Sequence, residues 1–533
     1  MSPVQQFEVI LALLAFALVL PIITARLPLP PAASLVLGGM VLAAIPGTPS
    51  AELDPDLILI LFLPPLLLAS AYFTVWRDFR AELRPILLLA IGAVAFTTAA
   101  VGWVTKLMAP TLPWAVCFAL GAIVSPPDAV AAKAVLHGLP LPRRVVTILE
   151  GESLVNDASG LLLYRLAVAA ALTGVFDAQT AALSFVWLGA GGIAFGYALG
   201  RFTVWIFKLR KAAHEVLLLS FLVSWVAYIC ADLLGTSGVL SVVTCGLVMG
   251  WHQHDTLTAK GRTESRAVWR FTVSVFESLV FVLIGLSLRG VLDRLGGLES
   301  ALITAGPVAL GVVVTVVLAR LVWVFPATFL PRWLSPSLRA RDPAPPASIP
   351  LIIGWAGMRG VVSLAAALAL PRQLPGRDVV LFATFGVIAA TVLVQGSTLG
   401  PLIRHFLKPT AAKPAQHALD EFAARDHVTA ASLQFLEALP RKAESDAPQH
   451  PQLIAEYRRR ANITQRVREL GDDLNDTRRD HFNAALEALA AGRTELIRLH
   501  RSGDLHDSVL HAIESELDLE ELRLRQLSGD EME

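Results

Sequence analysis

The sequence predicts an all-α polytopic membrane protein: about thirteen transmembrane helices, arranged as two inverted six-helix repeats, then a small helical tail. Three observations predict it. Hydrophobic residues make up 55% of the 533-residue chain and its mean hydropathy is +0.60, too apolar for a soluble protein of this size. Apolar runs close to the roughly 20 residues that a bilayer crossing requires recur through residues 1–404. Charge is unevenly placed: residues 1–404 hold 47 of the 88 acidic and basic side chains, whereas residues 405–533 hold 41. The chain therefore divides into a membrane body, 1–404, and a charged, water-facing tail, 405–533. Its formal net charge is zero, which points to no nucleic-acid partner.

The crossing segments fall near 5–24, 29–45, 56–74, 85–108, 112–136, 145–173, 181–207, 215–234, 236–251, 268–288, 300–329, 349–370 and 378–403. The apolar run Val9 to Ile23 lacks the basic start and small-residue cleavage site of a signal peptide and is read as the first crossing. In the tail, segments near 453–470, 474–500 and 506–527 have helical spacing, as in Leu510, Ile513, Leu517 and Leu524, and Pro440 to Pro451 reads as a linker. Cys117, Cys230 and Cys245 lie in apolar runs without metal-ligand spacing, so they read as small buried hydrophobes.

Basic residues orient the thirteen segments. With a cytoplasmic tail, the inside loops and adjoining helix ends hold 16 Lys and Arg, from Arg26 through Arg77, Arg80, Arg84, Arg143 and Arg144 to Arg341. The outside ones hold 5: Lys106, Arg289, Arg294, Arg372 and Arg377. Lys and Arg accumulate inside, so the N-terminus is expected outside and the C-terminus in the cytoplasm. Thirteen crossings offset the first six from the last six by seven, an odd number, which makes the two sixes an inverted repeat. Segments five and twelve then correspond, and both are interrupted: Ser125-Pro126-Pro127-Asp128 in one, Gly354, Gly357 and Gly360 around Arg359 in the other. Paired broken helices at equivalent places mark the ion site of a secondary transporter.

Ionisable residues inside a bilayer cost about 2.5–3.5 kcal/mol each at the centre, and here they cluster: Asp128, Lys133, Glu150, Glu152, Asp157, Arg165, Glu277, Arg320 and Arg359. Segment six reads Glu150-Gly151-Glu152-Ser153-Leu154-Val155-Asn156-Asp157. On a helix, i and i+4 share a face, so Ser153 neighbours Asp157 and Glu152 neighbours Asn156. Hydroxyl, amide and carboxylate oxygens are hard ligands, suited to a small monovalent cation held at Asp157. The blander reading, polar groups gluing helices together, explains Ser153 or Asn156 alone but not Asp157. Asp128 caps the second half of a broken helix, and it also brings a carboxylate toward Asp157. Arg359 requires a buried partner; Glu152 is the first candidate and Glu150 the second. Glu277 is either a secondary ion-path residue or a satisfied helix-end carboxylate.

Other features carry less. Gly192, Gly196 and Gly200 form a small-residue ladder that signals close packing. His252-Gln253-His254-Asp255 sits in a basic loop without further ligands and is not read as a metal centre. No Gly-rich phosphate loop supplies an ATP-driven engine. No Ser-His or paired catalytic Asp constellation supports an intramembrane hydrolase, so no enzyme activity and no cofactor are expected. An organic-anion symporter also uses broken helices, but its site should offer positive or neutral ligands where this one offers carboxylates. A channel does not fit buried carboxylates beside a tight Arg partner.

At these residues the chain resembles the monovalent cation:proton antiporter-1 family of sodium/proton exchangers. The motifs are Phe62-Leu63-Pro64-Pro65-Leu66-Leu67, Ser125 to Ala131, Glu150 to Asp157, Glu277 to Gly285 and Gly357-Met358-Arg359-Gly360-Val361-Val362-Ser363, in family order across about residues 60–365. The resemblance implies exchange of Na+, with Li+ or K+ as alternatives, for H+, serving pH and cation homeostasis in the cytoplasmic membrane. It implies a homodimer in which dimerisation helices carry a mobile core. It implies that Asp157 binds cation and proton alternately, that Asn156 in place of a second Asp marks electroneutral exchange, and that Glu152 pairs with Arg359. Two positions depart from the pattern: Ala69 stands where many members have an acid, and Asp128-Ala129, preceded by Pro127, stands where many have Asp-Pro. The tail is expected to sense pH, to bind a regulator of unknown kind or to stabilise the dimer, and the sequence does not choose among these.

Overall fold

The computed structural model describes residues 3–24, 30–45, 55–128, 132, 139, 141–174, 178–210, 212–407, 421–439, 450–459, 475–502 and 507–528. Within these the chain is helical, with no strand. It separates into two compact units, Met1–Thr410 and Ala411–Glu533.

The first unit begins with α1 (Pro3–Thr24), α2 (Pro31–Ala44) and α3 (Pro55–Phe73). Two short helices, α4 (Trp76–Ala81) and α5 (Leu83–Leu87), lead through a π-helical stretch, Leu88–Ala93, into α6 (Val94–Met108). Then come α7 (Trp114–Val124), α8 (Arg143–Thr173), α9 (Ala178–Leu209), α10 (Ala213–Leu233), α11 (Gly238–Thr256) and α12 (Ala259–Arg294). The last third holds α13 (Leu298–Thr304), α14 (Gly306–Leu334), α15 (Pro336–Arg341), α16 (Ser348–Trp355), α17 (Val361–Leu368) and α18 (Arg377–Ala390). A second π-helical stretch, Thr391–Gln395, continues into α19 (Gly396–Phe406).

Each of the thirteen expected segments is met by a helix or by a broken pair. Among the described residues seven continuous helices are long and apolar enough to cross a bilayer: Leu83–Met108, Arg143–Thr173, Ala182–Leu209, Ala213–Leu233, Ala259–Arg294, Gly306–Leu334 and Arg377–Phe406. Shorter apolar helices include Pro31–Ala44, Ile60–Phe73 and Trp114–Val124. Segment twelve is two half-helices, α16 and α17, parted by Ala356–Gly360. Segment five ends its first half at Val124, where Pro126 and Pro127 remove two backbone donors. Ala129 to Ala131 and Lys133 lie outside the described residues.

The helices pack in two groups. In one, α2 crosses α12, α9 and α10 lie on α11, and α11 lies on α3. These crossings are close because glycines make them so: a Cβ on Gly196 would meet the backbone of Ser241, and one on Gly285 the backbone of α2. Gly192 and Gly200 likewise face Ser237 and Cys245, so the ladder packs α9 on α11. In the other group α7 packs on α6 and α8, and α14 on α6, α16 and α18. Here a Cβ on Gly121 would strike the Thr98 carbonyl, and one on Gly160 the ring of Pro126.

Four chain segments of the second group are tied at one end by a charged knot. Asp342 accepts from Arg84 (2.7 Å), Arg144 (2.7 Å) and Arg332 (2.7 Å), and Arg144 also reaches Glu82 at 2.9 Å. The second unit contains α20 (Glu421–Glu437), α21 (Asn475–Arg501) and α22 (Asp507–Ser528). Helices α21 and α22 pack together, with Arg493 bonded to Glu521 at 2.9 Å and to Asp518. Of the expected linker, residues 440–449 lie outside the described residues, as do 460–470 of the segment expected near 453–470.

Candidate functional site

The two interrupted segments meet at their breaks. The Asp128 amide donates to the Met358 carbonyl at 2.7 Å, joining one broken segment to the other. Gly360, which starts α17, lies against the Asp128 carboxylate, and a Cβ there would collide with it. Asp128 thus sits where the free amides at the start of a half-helix favour a negative charge.

Helix α8 runs past this junction and carries the Glu-Gly-Glu-Ser-Leu-Val-Asn-Asp motif. Asn156 is fully buried, and its Nδ2 donates to the Pro127 carbonyl at 2.8 Å, satisfying an acceptor that the proline break leaves open. Its Oδ1 is buried without a hydrogen-bond partner. Asp157, also buried, lies within electrostatic reach of Asp128. Among the described residues no cation pairs with Asp157, and the one charge acting on it is the like charge of Asp128. Ser153 stands half-buried one turn before Asp157. One turn-face further, Ser159 donates to the Ala90 carbonyl, which lies within the first π-helical stretch.

The ion pair expected between Glu152 and Arg359 is not the one the structure contains. Arg320, from the middle of α14, holds both Glu152 oxygens, at 2.5 and 2.9 Å, and donates to the Ile353 carbonyl at 3.2 Å. Both side chains are at most 2% exposed. Arg359 is equally buried but spends its donors on backbone: Val124 O at 2.8 Å, Ser125 O at 3.2 Å, and Gly357 O. Those first two carbonyls are the open C-terminal end of α7, where a positive charge complements the helix dipole. Glu152 still acts on Arg359 through space, and so does the like charge of Arg320. The physical reason for the exchange of partners is geometric. The helix break aims Arg359 at a helix end, while the unbroken α14 presents Arg320 to α8.

The structure therefore brings Asp128, Asn156, Asp157, Glu152 and Arg359 to one junction, and adds Arg320. It also adds Thr391, whose Oγ1 accepts from the Arg359 amide at 3.0 Å and which opens the second π-helical stretch. The signal for Arg320 was present, as a charge in an apolar run; nothing in the sequence singled out Thr391. Glu277 stands half-buried on α12, beside Phe276, whose ring meets Phe62 edge-on at 5.2 Å. Ala69 is buried in α3.

A helical membrane protein in which two interrupted segments meet beside buried acids is a secondary transporter of ions, not an enzyme. The profile described as "Sodium/hydrogen exchanger, transmembrane" matches residues 13–405, and the chain belongs to that family of cation/proton antiporters. It is 31% identical to the uncharacterized Na+/H+ exchanger Rv2287 of Mycobacterium tuberculosis, over 97% of this chain and 96% of that one. It is 33% identical to the sodium, potassium, lithium and rubidium/H+ antiporter of Bacillus pumilus, over 74% of this chain and 61% of that one. The fold is that of the sodium proton antiporter MjNhaP1 from Methanocaldococcus jannaschii, at a TM-score of 0.61 and 20% identity, over 76% of this chain and 99% of that one.

Proposed function

We propose that the chain exchanges Na+ for H+, one for one, with Asp157 as the group that the two ions occupy in turn. The observation that carries this is a buried carboxylate without a counter-charge among the described residues, within electrostatic reach of the like charge of Asp128. A bare carboxylate in a low-dielectric interior is tolerated only when neutralised. A proton neutralises it, and so does a small cation, but the two compete for one site. If the second helix group carries the acid across the barrier only in a neutralised state, exchange is obligatory.

Asp128, Ser153 and the Asn156 Oδ1 supply the remaining hard oxygens, and Asn156 brings no second negative charge. One neutralising ion per carboxylate makes the cycle electroneutral. Glu152 and Arg359, with Arg320, hold the junction together, and Glu277 serves the ion path from α12. The arginines nearest the acids are committed to Glu152 and to backbone carbonyls, which leaves no positive ligand for an organic anion among the described residues. Selection among Na+, Li+ and K+ belongs to the same oxygens, and the Bacillus relative makes the latter two natural competitors. The chain works as a homodimer in the cytoplasmic membrane, N-terminus outside and C-terminus inside, serving pH and cation homeostasis, with a regulatory 405–533 tail.

Dequenching of a pH-sensitive dye in proteoliposomes tests the reading, with sodium, lithium, potassium and calcium offered in turn. Sodium should drive proton flux, calcium should not, and the rate should ignore an imposed membrane potential. A rate that follows the potential contradicts one-for-one exchange.

A further inference from the structure

Arg165 lies eight residues beyond Asp157 on α8, about 12 Å along the axis. Positions 157, 161 and 165 follow one another at i, i+4 and i+8, so Asp157, Leu161 and Arg165 share a stripe of the helix. At the far end of this stripe Arg165 donates to Asp232, in the last turn of α10, at 2.7 Å. Both side chains are about half exposed, at 50% and 47%.

Beside Arg165 lies a cavity of about 30 Å³ lined by Ala158, Leu161, Arg165, Tyr228, Ser237 and Val239 among others. Its wall thus runs from the residue after Asp157 out to Arg165. Since one water requires roughly 10–15 Å³ of such space and two to four polar partners, the cavity has room for one or two waters. Arg165, Tyr228 and Ser237 bring polar groups to it.

The pair also joins the two helix groups. Helix α8 packs mainly on α7 and the first π-helical stretch, and only lightly on α11, whereas α10 packs on α11 and α3. Contacts between groups that move against each other must be cheap to break. An exposed ion pair contributes little, in contrast with the buried Glu152–Arg320 pair inside one group.

We infer that Arg165 and Asp232 form a releasable latch over a hydrated access pocket, which leads down the 157/161/165 stripe to Asp157. It is closed in this conformation and opens when α8 shifts against α10 and α11. The latch lies at the Thr173 end of α8, opposite Arg144 and the Asp342 knot, which is the outer face in the proposed orientation. This inference rests on the antiport reading.

The test is a reversible cross-link in proteoliposomes. Cys117, Cys230 and Cys245 are replaced by Ala, and Arg165→Cys with Asp232→Cys is joined by a short bis-methanethiosulfonate, each thiol forming a disulfide as methanesulfinate leaves. Sodium-driven proton flux should fall roughly tenfold or more on linking and return on reduction. Undiminished flux, with the link verified by mass spectrometry, overturns the latch. The unlinked protein separates the two readings, since its exchange keeps antiport standing whichever way the cross-link falls. As a second arm, Arg165→Gln and Asp232→Asn should each shift the apparent KM for Na+ offered from the latch side by roughly two- to fivefold, leaving the other side unchanged. Equal shifts in KM on both sides, or no shift on either, also overturn it.

Discussion

Arg320 grips both oxygens of Glu152, five residues before Asp157 on α8, and so fixes the register of the helix that carries the candidate ion site against α14. Removing either member leaves the other charge buried alone, at a cost of about 3–5 kcal/mol. Arg320→Met or Glu152→Ala should therefore lower the thermal midpoint in detergent and the yield of folded protein. The double variant Arg320→Met/Glu152→Leu should recover most of the loss, because an apolar pair of similar volume replaces the ion pair. Arg359→Ala should be equally damaging, yet Glu152→Gln should not rescue it. Rescue there would restore the Glu152–Arg359 pairing.

Gly360 tests the junction from the other side. A methyl group at that position occupies the space of the Asp128 carboxylate. Overpacking of this kind costs about 1–3 kcal/mol, and the shift falls on an acid facing Asp157. Gly360→Ala should cut sodium-driven proton flux by roughly tenfold. Gly189→Ala, where the nearest atom to the new Cβ is Leu240 at 3.9 Å, should leave flux intact.

Asn156 donates to Pro127 O through its amide nitrogen. Asn156→Asp keeps the shape but removes the donor, setting a carboxylate against a buried carbonyl. A lost donor at a buried acceptor costs about 1–3 kcal/mol, measurable as a lower thermal midpoint. Any exchange that survives should respond to membrane potential, because the junction then carries an additional negative charge.

The Asp342 knot gives a pH dependence of stability. Burial by itself raises the Asp342 carboxyl, but the hydrogen bond and charge of Arg144, with Arg332 and Arg84, outweigh it and hold the group at about 2. An unfolded Asp titrates near ~3.9. Its folded value is depressed, so the stabilisation is complete above that unfolded value and is lost as pH falls through about 2. Melting in detergent should show Asp342→Asn less stable than the parent by about 1–2 kcal/mol at pH 7, with the difference shrinking only below about pH 4. A difference that changes between pH 6 and 8 contradicts this origin.

Much of the membrane body was legible because bilayer crossings and helix breaks are written locally, in run length, Pro126-Pro127 and the glycines around Arg359. The neighbours on α8 were legible for the same reason, since i, i+4 spacing places Ser153 beside Asp157. The partner of Glu152 was not. Arg320 and Arg359 are both arginines in apolar runs, and only the tertiary path of α14 decides which one reaches α8. The π-helical stretches were equally hidden, because nothing in Leu88–Ala93 or Thr391–Gln395 departs from an ordinary apolar helix. The contacts made there, Ser159 to the Ala90 carbonyl and the Arg359 amide to Thr391 Oγ1, appear only once the helices are packed.

The most direct measurement is sodium-driven proton flux in proteoliposomes containing Asp157→Asn, beside the parent protein at matched density. The amide fills the same volume without a charge to neutralise, so the variant should reconstitute as a folded protein and move no protons in response to sodium. Cation-dependent proton movement at the parent rate would remove Asp157 from the centre of the mechanism.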